Sequence, residues 1–120
     1  MAEGNATKAP SSVTVNDDDP KRGYITLFLD FPELKVKRSL IGPAKPENAD
    51  VTIDITDSDV SLCVCYYGKK DKFEYKKKLP EDIIASKSTS KIRSGSIILK
   101  LCKAEVASWT PHMKYLMSRQ

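Results

Sequence analysis

Histidine and tryptophan occur once each in the 120-residue chain, and glycine only five times. A Ser/His/Asp or Cys/His nucleophile needs a histidine placed by a third group. The sole candidate, His112, stands beside Pro111 and far in sequence from any cysteine, so it reads as a solvated tail residue. Gly4, Gly23, Gly42, Gly68 and Gly95 are scattered, which leaves no glycine-rich phosphate loop; each reads as a turn or linker residue. Cys63, Cys65 and Cys102 form an odd set without the paired spacing of a zinc site, and are expected to be reduced thiols. Cys63 and Cys65 share a strand face and read as small core hydrophobes, a disulfide between them being disfavoured by strand geometry. No apolar run approaches the roughly 20 residues needed to span a membrane, and the N-terminal stretch offers no apolar segment suited to a signal peptide. These absences lead to the expectation of a non-catalytic cytoplasmic protein, also compatible with the nucleus, with no cofactor, bound metal or membrane partner.

Hydrophobic residues make up 40% and charged residues 30% of the chain, which is ordinary usage for one small globular domain. A domain of this length buries roughly two thirds of its unfolded surface, so it needs neither metals nor disulfides to fold. Residues 1–22 lack aromatics and are rich in small, polar and charged types, so they are expected to be a flexible arm. The folded domain is expected to span residues 23–110, with a short tail at 111–120.

Within the domain the dominant signal is alternation, the signature of half-buried strands. Tyr24 to Phe31 places Ile25, Leu27, Leu29 and Phe31 on one face, with Tyr24 and Phe28 on the other, so this strand is expected to be covered on two sides. Proline punctuation at Pro32, Pro43 and Pro46 suggests a short edge strand near Glu33 to Leu40, or an irregular crossover. Val51, Ile53 and Ile55, the turn Asp57-Ser58-Asp59, then Val60, Leu62, Val64 and Tyr66 make the clearest hairpin. Phe73, Tyr75 and Lys77 share a face in the next strand, which Pro80 ends. A short strand near Lys91 to Arg93 precedes a last one at Ser96 to Lys103, where Ile97, Leu99 and Leu101 point inward. About seven strands at short spacing predict an all-β, antiparallel β-sandwich. After it, Thr110 and Pro111 suit the start of a short helix carrying Met113, Leu116 and Met117, stable only if docked.

The order of three segments carries a family resemblance: the hairpin VTIDITDSDVSLCVCYYG, the strand and turn KFEYKKKLPEDII, and SIILKLCK followed by Trp109. Together these resemble the CS domain, the β-sandwich of the acidic co-chaperone of heat shock protein 90, calcyclin-binding protein and the nuclear-distribution protein C family. The resemblance covers roughly Tyr24 to Trp109 and implies a monomeric protein-interaction module. It implies a co-chaperone or adaptor of heat shock protein 90, in which one sheet face and its loops bind the chaperone's N-terminal domain in a particular nucleotide state. An adaptor for ubiquitin-ligase or dynein and cytoskeletal complexes is the alternative the other relatives suggest. The prostaglandin E synthase activity attributed to the acidic co-chaperone is not carried over and stays, with RNA binding, a weaker alternative. Its W-Y pair ahead of the first strand is missing from DDDPKRGY, and Tyr24 lies within the strand itself. Nor does the chain carry that relative's acidic tail before Gln120.

Lysine clusters at Lys69 to Lys78 and from Lys87 to Lys103 make the domain basic, with a net charge of +4 for the whole chain. Their alternation splits them between faces, so they read as solvated surface rather than as an RNA-binding patch. The resemblance implies six candidates for partner contact: Lys91, Arg93 and Ser94 in and beside the loop, Lys100 and Lys103 on the last strand, and Trp109. Trp109 is expected to cap the core first and to serve recognition second.

Overall fold

The computed structural model describes residues 7–19, 23–37, 45–70, 72–105 and 109–118. They form an all-β fold in which two four-stranded sheets enclose one core. Ten strands are assigned: β1 (Thr7–Lys8), β2 (Ser12–Asp19), β3 (Tyr24–Asp30), β4 (Val36–Lys37), β5 (Lys45–Pro46), β6 (Ala49–Ile55), β7 (Asp59–Tyr66), β8 (Lys72–Lys78), β9 (Thr89–Arg93) and β10 (Ser96–Cys102). The first sheet runs β1-β8-β7-β6 and the second β2-β3-β10-β9, with β4 and β5 as a separate pair. All pairings are antiparallel except β1 with β8.

Alternation explains the layers. Val60, Leu62, Val64, Tyr66 and Tyr75 of the first sheet meet Val13, Val15, Ile25, Leu27, Leu29, Ile97, Leu99 and Leu101 of the second, all buried. Aromatic rings close the two ends. At one, Phe73 packs edge-to-face on Phe31 and Tyr66, with centroids 6.1 and 5.4 Å apart. At the other, Trp109 is buried to 0% exposure. Beyond it a 3₁₀ turn (Thr110–His112) leads into α1 (Met113–Met117), which packs against β2. Leu116 is fully buried and the Tyr75 hydroxyl donates to its carbonyl at 2.6 Å, so the short helix is docked as its length requires.

Two expectations are corrected and one is narrowed. Ser12–Asp19, read as part of a flexible arm, is a full strand hydrogen-bonded to β3, with Val13 and Val15 buried. Two alternating valines supply the apolar face an edge strand needs, and Ser11 N–H donates to the Asp30 carbonyl as the chain crosses from the first sheet to the second. Thr7–Lys8 of the same stretch pairs with β8, and residues 1–6 and 20–22 lie outside the described residues. Of the stretch Glu33 to Leu40, read as a short edge strand or an irregular crossover, Val36–Lys37 is the strand among the described residues, paired with Lys45–Pro46, while Leu34 turns into the core; residues 38–40 lie outside the described residues. Cys63 and Cys65 are not core residues: lying between Leu62, Val64 and Tyr66, they face outward and are half-buried.

Lys77 follows its predicted parity. It lies on the inner face of β8 with only 6% exposure, its ammonium 5.8 Å from the Tyr75 ring and 5.0 Å from the Tyr115 ring. Burial pushes its pKa below the usual lysine range. The two rings offer their electron-rich faces to the charge, which explains how a lysine is tolerated there.

Candidate interaction surface

The outer face of the second sheet is assembled by register. Arg93 of β9 stands opposite Ser96 of β10, which stands opposite Asp30 of β3, itself opposite Ser12 of β2. The next row is Lys91, Ile98, Phe28 and Thr14, and the next Thr89, Lys100, Thr26 and Asn16. Phe28 and Ile98 are therefore direct cross-strand neighbours at the middle of the face, each half-buried where their inward neighbours are fully buried. Tyr24 extends this apolar centre, and the Lys100 ammonium sits 4.8 Å from its ring.

Charge surrounds the centre on the β9 side. Lys91, Arg93 and Lys100 are exposed, and Asp30 is the acidic residue of the same rows, its carboxylate accepting a hydrogen bond from the Ser12 hydroxyl. The β9–β10 turn is held rigidly. Gly95 adopts φ 86°, a left-handed conformation that L side chains avoid. Its N–H donates to the Leu34 carbonyl at 2.9 Å and its carbonyl accepts from Phe31 N–H at 3.0 Å. The Ser94 hydroxyl accepts from Val36 N–H at 3.1 Å, tying the turn to β4.

Of the six residues singled out from the sequence, Lys91, Arg93 and Lys100 share this face and Ser94 lies at its end. Lys103 and Trp109 do not join them. Lys103 is 3% exposed, with its N–H donating to the Gly23 carbonyl and its ammonium 5.9 Å from the Trp109 ring. Tyr24, Phe28 and Ile98 are the members of the surface that sequence reasoning missed. They were visible as the second face of two alternating strands, but only the pairing of β3 with β10 brings them together.

The outer face of the first sheet is different. Cys63 and Cys65 stand at its centre with sulfurs 3.7 Å apart, between Asp50 and Thr52 of β6 and Lys72 and Glu74 of β8. Desolvation raises the Cys63 thiol pKa, with the hydrogen bond and charge of Cys65 and the Glu74 carboxylate acting in the same direction. Elsewhere, Glu81, Asp82 and Glu105 line a cleft beside Pro80 and Ala104, and the His112 imidazole Nε2 lies 3.4 Å from Glu81. Among the described residues no group of three or more His, Cys, Asp and Glu side chains is placed to hold a metal, and no helix is long and apolar enough to cross a membrane. Compared with models of known protein families and with curated protein sequences, the chain finds no match.

Proposed function

We propose that the protein is a non-catalytic interaction module that docks on another protein through the outer face of its β2-β3-β10-β9 sheet. The observation that carries this reading is the row Lys91-Ile98-Phe28, an apolar pair on a solvent-facing sheet with Arg93 and Lys100 on either side. Interfaces are built this way, with aromatic and aliphatic anchors at the centre and a polar or cationic rim. The basic rim suits an acidic partner surface and would speed encounter more than it would add affinity.

The resemblance to CS domains supports heat shock protein 90 as that partner, and a cytoplasmic role as its co-chaperone or adaptor. By this reading the domain shifts the chaperone's conformational equilibrium through a difference in affinity for its nucleotide states. The test is a calorimetric titration with full-length heat shock protein 90 without nucleotide, with ADP and with a non-hydrolysable ATP analogue. Binding is expected in at least one state, weakened at least tenfold by the double charge reversal Lys91→Glu, Arg93→Glu. Absence of binding at high micromolar concentration in all three states would remove the chaperone as partner. Binding unchanged in the double variant and in Phe28→Ala would remove the proposed face.

A further inference from the structure

The two thiols on the opposite side of the sandwich are not explained by packing or by the interaction surface. Cys63 and Cys65 alternate with Leu62 and Val64 on β7, so they point away from the core, and both remain partly open to solvent. Their sulfurs converge to 3.7 Å. Two neighbouring side chains on one strand face need not converge, since each has alternative χ1 rotamers.

That separation discriminates between two fates. A disulfide requires the sulfurs to close to about 2.05 Å, on Cα atoms no more than about 6.8 Å apart. Two strand rises of about 3.3–3.4 Å set residues i and i+2 at the edge of that window, on a strand fixed by hydrogen-bonded neighbours on both sides. A metal–sulfur bond of about 2.3 Å on each side spans up to about 4.6 Å. One bridging ion therefore fits with side-chain adjustment alone. The donor set then selects the ion. Zinc needs four ligands, and no third His, Cys, Asp or Glu joins the pair among the described residues; the nearby Glu74 carboxylate is engaged by Lys72 and Lys76 at 3.7 and 3.4 Å. Monovalent copper is soft and is satisfied by thiolates at low coordination number.

We propose that Cys63 and Cys65 form a surface dithiol site that chelates a single Cu(I) ion. On binding, each thiol gives its proton to solvent as a copper–sulfur bond forms, so one Cu(I) and two thiols yield a bis-thiolate complex of net charge −1 and two protons. No electron is transferred. Lys72, directly opposite Cys65 on β8, offsets the negative charge of the complex, while Asp50 on the other flank opposes it.

The test is competition for Cu(I) against bicinchoninate under anaerobic conditions, with the full chain and the variants Cys63→Ser, Cys65→Ser and Cys102→Ser. The second thiolate binds intramolecularly, so losing either one should weaken copper retention by about 100-fold or more. Cys102, buried on the other sheet, serves as control. The expected result is one Cu(I) withdrawn per chain by the wild type and by Cys102→Ser, and none by the two serine variants at Cys63 and Cys65. The proposal is overturned if the wild type withdraws no copper, if either of those variants matches it, or if one copper is held per two chains. A wild type that takes Zn(II) from a colorimetric chelator but no Cu(I) overturns it as well.

Discussion

Replacing Trp109 by alanine separates a structural role from a recognition role. Its indole is fully buried at the end of the sandwich, edge-to-face with His112 at 6.5 Å and 5.9 Å from the buried Lys103 ammonium. Truncating a buried tryptophan to alanine removes its transfer free energy and leaves a cavity, together about 3–5 kcal/mol. Domains of this size are stable by only about 5–15 kcal/mol, so the variant loses a large fraction of the total. With a urea m-value of about 1.5–2 kcal/mol/M, the denaturation midpoint falls by roughly 1.5–3 M. Far-UV circular dichroism is the appropriate readout, because the substitution removes the chain's single tryptophan fluorophore. Trp109→Phe keeps a ring in the cavity and falls less. A midpoint within the error of the wild type, with partner binding abolished, would refute the assignment of Trp109 to the core.

Three further outcomes are expected. Val15→Asp places an unpaired charge in the core and should destabilise by about 3 kcal/mol or more in urea denaturation, whereas a residue in a solvated arm would change stability by less than about 0.5 kcal/mol. Gly95→Ala should cost about 1–2 kcal/mol by the same assay, purely from backbone strain, because the added methyl meets no atom within 4 Å; Gly95→Asn should cost less, since asparagine tolerates the left-handed region. Burial, then the neighbouring Tyr115, raises the Tyr75 pKa in the folded state, so the folded protein holds this proton more tightly than the unfolded chain. Its contribution is complete below pH about 10 and is lost as pH climbs toward the folded value. Thermal melts between pH 8 and 12 should therefore fall less steeply for Tyr75→Phe than for wild type, and parallel curves would contradict this.

The fold was legible where two-residue periodicity is sustained. The β6–β7 hairpin, β8 and β10 occupy nearly the segments their alternation marks, because one buried face dictates every second residue over seven or eight positions. β2 was not legible: Val13 and Val15 are buried, but the rest of its sequence has the composition of a disordered segment. Edge strands need little apolar sequence because a neighbour, here β3, supplies the hydrogen bonds. The cysteines show a different failure. Their parity opposes them to Leu62 and Val64, and on this strand position outweighs the general tendency of cysteine to be buried. The proposed face was half visible. Lys91, Arg93 and Lys100 were marked by charge, but their union with Phe28 depends on the register of the β9–β10 hairpin with β3, which is distant in sequence.

The most direct measurement is an amide chemical-shift map of the isotope-labelled protein during titration with the N-terminal domain of heat shock protein 90 and a non-hydrolysable ATP analogue. Perturbations concentrated on Tyr24, Phe28, Lys91, Arg93, Ile98 and Lys100, with β6 to β8 unchanged, are the predicted result. A spectrum that does not change, or shifts confined to the β1-β8-β7-β6 sheet, would contradict the account.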